Sequence, residues 1–176
     1  MSVALIQQAV DAYEDPLIGE NLPASTLQGV LSAYPVVWLQ FLRHLGCIYC
    51  KGLVIDIRDF LARWTDRAPF LVFVHPNTLE EGRRFFEVHY PGAAHIADPA
   101  LRLYRLFGVR RASFLSEVHP RNLLRWLTLL KRGFTNEKPT ADPWVLHATF
   151  LFREGNLIWS YYARRLSDVP TWRRLL

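Results

Sequence analysis

Two uninterrupted apolar runs, each followed by a segment with helical spacing, constrain the fold of this chain most strongly. The run at 36–42 leads into apolar residues at helical positions over 53–64, and the run at 70–74 leads into a helical pattern over 78–90. Continuous β-branched and aromatic runs are typical of strands buried on both faces of a sheet. Strands that alternate with helices pair in parallel, because the chain crosses back over the sheet between them. The sequence therefore predicts an α/β fold.

The second half of the chain extends this sheet. Residues 94–97 predict a short strand, and helical spacing recurs at 99–107 and 121–131, the last carried by leucines. The final apolar stretches, 146–152 and 157–162, are separated by a four-residue turn and predict an antiparallel hairpin. We therefore expect a mixed central sheet with helices on both faces.

The first 34 residues differ in pattern from the rest. Residues 1–13 have the apolar spacing of a short amphipathic helix, 15–25 read as a loop, and 26–33 can form a second short helix. A length of 176 residues fits one domain of ordinary size. The sequence thus predicts a helical extension at 1–34 packed on the core of one domain at 35–176.

Composition and charge exclude several classes of protein. Apolar residues make up 51%, so the chain can bury a sizeable core, and no apolar run approaches the roughly 20 residues that cross a bilayer. The first basic residue is Arg43, which is unlike a signal peptide. The net charge of +5 comes from dispersed arginines, a pattern typical of surface ion pairs, so no nucleic-acid partner is expected. No membrane partner is expected either. Two cysteines are too few for a disulfide framework, which predicts a cytoplasmic protein.

Cys47 and Cys50, the only cysteines, form a C-x-x-C pair where the first apolar run gives way to a helix. Free N–H groups and the positive end of the helix dipole stabilise a thiolate at the leading cysteine, and one turn brings the second within bridging reach. The dipole, worth up to about 2 kcal/mol, lowers the pKa of the Cys47 thiol. Arg43 and His44 add to this effect if their side chains face the sulfur. The pair is predicted to be redox-active.

Metal and haem sites are the competing interpretations of this motif. His44, Cys47 and Cys50 have the spacing to supply three ligands of a zinc site, but the chain has no second C-x-x-C or His-x-x-x-His pair. Covalent haem attachment requires a histidine at the position of Lys51. We expect neither a metal nor a cofactor.

Three segments resemble one family. The sequence from Phe41 to Cys50 contains Arg-His-x-Gly-Cys-x-x-Cys and is similar to that segment of the peroxiredoxin-like AhpC/TSA antioxidant proteins, a thioredoxin-fold group that includes selenoprotein L-type members. Residues 98–108, Asp-Pro-x-x-x-x-Tyr-x-x-x-Gly, and the Asp168-x-Pro170 segment also resemble that family. The resemblance covers the chain from about residue 35 onward.

The resemblance implies a thioredoxin-like fold with Cys47 and Cys50 as the catalytic residues. It implies a protein or small-molecule disulfide or peroxide as substrate, and an external thiol such as thioredoxin or glutathione as reductant. The residues expected to tune the pair are Arg43, His44, Gly46, Tyr49 and His147.

Three functions remain open at this point. In the first, a thiol–disulfide oxidoreductase, Cys47 attacks a disulfide and Cys50 resolves the mixed disulfide. In the second, a thiol peroxidase, Cys47 passes through a sulfenic acid before Cys50 condenses with it. Peroxiredoxins typically carry Thr or Ser and Pro where this chain has His44 and Gln40. The third is a non-catalytic thioredoxin-fold binding module.

The remaining candidate residues receive structural interpretations. Tyr49, between the cysteines, is expected to be exposed on a loop, where it contacts a partner or controls access to the pair. Four histidines are expected to lie on the surface or to hydrogen-bond within loops. They are His75, His89, His95 and His119.

Overall fold

A six-stranded mixed sheet organises the chain in the computed structural model, which describes residues 13–64, 68–113 and 119–170. The strands are β1 (Gly19–Glu20), β2 (Val36–Phe41), β3 (Phe70–His75), β4 (Ala94–Ala97), β5 (Ala148–Arg153) and β6 (Asn156–Tyr162). Their order is β1-β4-β3-β2-β5-β6, with β2, β3 and β4 parallel and the other pairings antiparallel. The predicted α/β class and mixed sheet are confirmed.

Helices cover both faces of this sheet. The described helices are α1 (Leu27–Ser32), α2 (Ile48–Leu61), α3 (Leu79–His89), α4 (Arg102–Leu106) and α5 (Pro120–Lys131). Apolar residues of α1 and α4 share one buried cluster, and those of α2 and α3 share the other. The expected arrangement of helices is therefore confirmed.

Strand β2 lies at the centre of the molecule and supplies both clusters. Its side chains alternate between the faces of the sheet. Val37, Leu39 and Phe41 join the cluster under α1 and α4, whereas Trp38 joins the cluster under α2. Because β2 is hydrogen-bonded on one side to β3 and on the other to β5, its carboxyl end is held from both sides. This is the end that leads to the cysteine pair.

Local sequence signals specify where one helix begins and where one hairpin turns. The sequence Thr-x-x-Glu at 78–81 predicts a capping box, and helix α3 begins with one: Thr78 Oγ1 accepts from the N–H of Glu81, and Glu81 Oε2 accepts from the N–H of Thr78 at 2.9 Å. The hairpin β5–β6 turns at Glu154 and Gly155, with φ of 49° and 76°. Two successive positive φ values are typical of the turn that matches the twist of a tight hairpin.

The first 34 residues depart in part from the predicted pattern. Within the predicted loop at 15–25, β1 pairs antiparallel with β4, with Gly19 opposite Ile96. A Cβ on Gly19 would lie 2.3 Å from the His95 carbonyl oxygen, so the absence of a side chain permits this pairing. The predicted helix at 1–13 falls almost wholly outside the described residues. The division of the chain at residue 34 stays a prediction.

Helix α4 starts three residues later than the predicted helix at 99–107. Leu101 has a left-handed φ of 56°, which is incompatible with a continuous helix. The Asp98 carboxylate instead accepts from the N–H groups of Arg102 and Leu103, both at 2.8 Å, and so caps the helix from outside.

Helix α5 has the predicted extent but buries a different face. The leucines that define its spacing are largely exposed, with Leu123 at 58%, Leu124 at 66% and Leu127 at 43%. Leu129 is buried instead and packs where Gly52 of α2 has no side chain. Leucine spacing alone therefore gives the wrong contact face. No helix in the described ranges is long and apolar enough to span a membrane.

Candidate active site

Cys47 and Cys50 lie at the start of α2, directly beyond the carboxyl end of β2. Cys47 is the N-cap residue, with an extended φ of −75° and ψ of 126°, and Cys50 lies in the first turn. The turn before them is held by the N–H of Cys47, which donates to His44 O at 3.1 Å, and by the N–H of Leu45, which donates to Asn77 Oδ1 at 3.0 Å. Both thiols are free, and the residues are 2% and 0% exposed.

The environment of Cys47 favours its thiolate. Burial raises the pKa of the thiol, but hydrogen bonds from the Cys50 thiol and from the N–H groups of Cys50 and Tyr49, together with the Arg43 guanidinium, outweigh burial and hold this pKa at about 6. Cys47 is therefore mostly ionised at neutral pH. The first turn of a helix supplies these N–H donors without rearrangement.

Cys50 is shifted in the opposite direction. Burial and the neighbouring Cys47 sulfur raise the pKa of the Cys50 thiol well above its ordinary value. Cys50 thus keeps its proton and donates it in a hydrogen bond to the sulfur of Cys47. A nucleophilic thiolate beside a protonated thiol is the arrangement that a two-step disulfide exchange requires.

Arg43 connects the thiolate to the segment that precedes β5. Its Nη1 donates to Cys47 Sγ at 3.4 Å, its Nε donates to Val145 O at 3.2 Å, and its Nη2 donates to Pro143 O. The side chain is buried. A guanidinium held in this way is a fixed positive charge, because its fork of donors cannot rotate away from all three acceptors.

His44 and His147 are buried near Arg43 but carry no charge at neutral pH. Burial, followed by the charges of Arg43 and Lys51, lowers the pKa of His44 to about 4. Burial and Arg43 lower the pKa of His147 to about 3. Neither histidine therefore supplies the positive charge that would assist the thiolate.

A polar segment at residues 134–142, here called the strap, covers the start of α2. Asn136 Oδ1 accepts from the N–H of Ile48 at 2.8 Å, and the N–H of Glu137 donates to Gly46 O at 2.9 Å. Lys51 pairs with the Glu137 carboxylate and donates to Thr135 O at 3.1 Å. A Cβ on Gly46 would lie 3.1 Å from Glu137 O, so this glycine allows the strap to lie close.

The strap was not foreseen as part of the site. The sequence places a polar loop at this position, but nothing in its composition indicates that it returns to α2. Only the tertiary fold brings Asn136 to the free N–H of Ile48, 88 residues away along the chain.

The prediction that Tyr49 is exposed on a loop is wrong, because this residue is half-buried in α2. Its hydroxyl donates to Asn122 O at 2.8 Å, which ties α2 to the start of α5. Because Tyr49 lies inside a helix that begins at Ile48, its side chain is directed by the helix rather than by a flexible loop.

The prediction of a surface or loop position is wrong for two of the histidines, which lie in strands and are buried in the core. His75 Nε2 and His95 Nδ1 lie 3.1 Å apart, and His95 Nε2 lies 3.5 Å from a carboxylate oxygen of Glu20. Gly82 of α3 packs directly over both rings. Burial, followed by His95, lowers the pKa of His75 to about 3. No local signal indicates this pairing, because the two rings meet only when β3 and β4 align.

The zinc alternative finds no support in the geometry. Within residues 13–64, 68–113 and 119–170, no three His, Cys, Asp or Glu side chains are grouped so that they could hold a metal ion. His44, Cys47 and Cys50 are close in sequence but do not form such a group.

Comparison with known proteins gives structural matches only. No family model matches the sequence, and no curated protein matches it. Peroxiredoxin Q of Xanthomonas campestris superposes with a TM-score of 0.61 at 14% identity, covering 86% of this chain and 82% of that one. The MTB protein dsbF superposes with a TM-score of 0.53 at 13% identity, covering 87% of each chain. The chain has a thioredoxin-like fold.

A third match has the same fold. A peroxiredoxin-like protein from Aquifex aeolicus superposes with a TM-score of 0.54 at 12% identity, covering 80% of this chain and 67% of that one. The thioredoxin-like fold predicted from the sequence is confirmed. At these identities the likeness concerns the fold, and the selenoprotein L-type assignment stays a prediction.

Proposed function

We propose that this protein is a thiol–disulfide oxidoreductase in which Cys47 is the nucleophile and Cys50 the resolving cysteine. The observation that supports this most strongly is the placement of two free thiols at the N-cap and in the first turn of α2, with Arg43 donating to Cys47 Sγ; this placement lowers the pKa of Cys47 to about 6 and raises that of Cys50. Structural cysteines buried in an apolar core have no reason to differ in this way.

The reaction follows from this arrangement. The Cys47 thiolate attacks one sulfur of a substrate disulfide, forms a mixed disulfide and releases the other half as a thiolate, which takes a proton from solvent. Cys50 then loses its proton and attacks Cys47, so that a Cys47–Cys50 bond forms and the second substrate thiol leaves. The protein loses two electrons and the substrate gains two. An external thiol, such as thioredoxin or glutathione, restores the reduced pair.

Access to the sulfurs requires a local opening. Cys47 is 2% exposed, and the strap is hydrogen-bonded to Gly46 and Ile48, the residues on either side of it. The strap is held by hydrogen bonds and by two ion pairs, Lys51–Glu137 and Arg111–Asp142, and most of its residues are exposed to solvent. Segments with few buried apolar contacts open at a small fraction of the global unfolding free energy. We therefore include opening of the strap in the catalytic cycle.

Trapping the intermediate tests this function. In Cys50→Ser the mixed disulfide at Cys47 has no resolving thiol, so mass spectrometry of the purified variant treated with a disulfide substrate should show a stable adduct on Cys47. The matched control is Cys47→Ser, which retains Cys50 and should form no adduct under the same conditions. An adduct on Cys50 in Cys47→Ser with none on Cys47 in Cys50→Ser, or no adduct in either variant, would contradict the proposal.

A peroxidase is the second candidate, because the Arg43 guanidinium that donates to Cys47 Sγ is also placed to hydrogen-bond a peroxide oxygen beside it. At the positions of the usual Thr or Ser and Pro, however, stand His44 and Gln40, and Gln40 is bonded to Ala148 O and Thr149 inside the sheet. Stopped-flow oxidation by hydrogen peroxide separates the two: a rate no faster than that of a free thiol excludes the peroxidase.

The non-catalytic module remains the third possibility. A Cys47→Ser, Cys50→Ser double variant that keeps full cellular function would favour it over either enzyme. The use of two free thiols also leads us to propose a reducing compartment such as the cytoplasm.

A further inference from the structure

A groove of about 570 Å³ lies beside the cysteine pair, between α3 and the strap. Leu45, Gly46 and Lys51 line it from the active-site side. Gly46 directly precedes Cys47, and the N–H of Lys51 donates to Cys47 O at 3.1 Å. Two of the groove's lining residues are therefore bonded directly to Cys47, one covalently and one by a hydrogen bond. Small-molecule sites usually enclose about 300–1,000 Å³.

The charged groups of this groove are not equally available to a ligand. The acids are engaged, because Glu81 closes the capping box of α3 and Glu137 pairs with Lys51. Two cations are exposed on opposite walls, Arg84 on α3 and Lys138 on the strap. Arg84 makes long contacts with Glu80, at 3.6 Å to its carboxylate and 3.5 Å to its carbonyl oxygen. The groove is therefore complementary to a ligand that carries carboxylates.

The burial of Cys47 limits the size of its substrate. A folded protein disulfide approaches as a broad surface, and the strap bonded to Gly46 and Ile48 stands in its way. A flexible chain of three residues spans about 10 Å, so such a ligand extends from Gly46 and Lys51 in the groove toward the adjacent Cys47 once the strap parts slightly. Phe85 and Phe134 supply apolar contacts along the walls for such a chain.

We infer that the groove binds a low-molecular-weight disulfide that carries carboxylates, of the size of a tripeptide disulfide, and presents it to Cys47. The inference rests on the disulfide exchange proposed above. In the reaction, the two thiols of the reduced protein and one such disulfide yield the Cys47–Cys50 bond and two molecules of the small thiol. Atoms and electrons balance in this step, and net turnover requires that the pair is then reduced by a thiol other than the product, such as thioredoxin.

The experiment compares two small disulfides in a single turnover. Reduced protein is mixed with oxidised glutathione or with neutral hydroxyethyl disulfide at low ionic strength, and the formation of the Cys47–Cys50 bond is followed by acid quenching and alkylation. The variant is Arg84→Glu with Lys138→Glu. The control is Arg153→Glu, an exposed arginine at the opposite end of the sheet from the cysteines.

The double variant should slow the reaction with oxidised glutathione at least about tenfold and the reaction with hydroxyethyl disulfide less than about twofold, because only the first ligand carries charge. Arg153→Glu should change both by less than about twofold. Equal slowing of the two disulfides, or the same effect in the control, would overturn the inference.

The second part of the experiment replaces the small disulfide by a protein disulfide. Insulin should oxidise the wild-type protein more slowly than oxidised glutathione does, and an equal or faster rate would also overturn the inference. If no disulfide of any kind forms the Cys47–Cys50 bond in the wild type, the proposed oxidoreductase itself fails, and the groove assignment fails with it.

Discussion

At the scale of single residues, the reactivity of Cys47 depends on donors whose positions are set by other parts of the fold. Two N–H groups come from α2, and the guanidinium comes from Arg43, which is fixed by carbonyl groups of Pro143 and Val145. Positive charge from a histidine was the alternative, but His44 is uncharged at neutral pH. The low pKa of Cys47 therefore depends on the Cys50 thiol, Arg43 and the helix start together.

Replacing Arg43 by Met should raise the pKa of Cys47 by about 1 to 2, because a hydrogen bond to a charged group is worth about 1.5–3 kcal/mol. The pKa is measured from the pH dependence of iodoacetamide alkylation or of thiolate absorbance. Arg43→Lys keeps a charge and should shift the pKa less. An unchanged pKa in Arg43→Met would mean that the Cys50 thiol and the helix N–H groups stabilise the thiolate without Arg43.

At the scale of elements, contacts between segments far apart in sequence hold the site closed. Asn136 caps α2 from the strap, Tyr49 ties α2 to α5, and Asp56 of α2 forms ion pairs with Arg125 and Arg132 of α5. The strap is the weakest of these connections, because most of its residues are exposed. We expect it to control the rate at which reagents reach Cys47.

Asn136→Ala should increase the rate of Cys47 alkylation by a bulky maleimide about fivefold, since a lost cap of this kind costs about 1 kcal/mol of strap closure. The rate is measured by quenched mass spectrometry on the reduced protein. Asn156→Ala, at the hairpin turn between β5 and β6, is the matched control and should leave the rate unchanged. No difference between the two variants would show that the strap does not limit access.

The contact of α3 with the sheet gives a second prediction at this scale. A Cβ on Gly82 would lie 2.5 Å from His75 Nε2 and 2.9 Å from His95 Cε1. Gly82→Ala should therefore destabilise the protein by about 1–3 kcal/mol, although alanine favours a helix in general. Urea unfolding measures this effect. Glu87→Ala, at an exposed position of the same helix, should change stability little.

At the scale of the whole molecule, the features predictable from the sequence are those that depend on local pattern. The apolar runs at 36–42 and 70–74, the capping box at Thr78 and the closing hairpin were all correct, because each is specified within a few residues. The prediction that His75 lies on the surface or in a loop was wrong, and the spacing of the α5 leucines did not indicate which residues of that helix are buried, since neighbours distant in sequence decide both. The contact of the strap with α2 was missed for the same reason. The position of the cysteine pair was therefore predictable, but the segment that packs beside it was not.

The stability of the reduced protein should depend on pH through Cys47. The pKa of this thiol is about 6 in the folded protein and about 8.5 in an unfolded chain, so its ionisation stabilises the fold above about pH 8.5 and this contribution is lost as the pH falls through 6. Between these values, the free energy of unfolding should rise with pH more steeply in the wild type than in Cys47→Ser. Parallel profiles from urea unfolding would contradict the lowered pKa.

A redox titration of the wild-type protein against dithiothreitol tests the central claim most directly. Samples equilibrated across the potential range are alkylated, digested and read by mass spectrometry. We expect one reversible two-electron transition, with a midpoint between about −270 and −120 mV, in which a single intramolecular bond joins Cys47 and Cys50. Thiols that stay reduced throughout, or bonds that form only between molecules, would contradict the account.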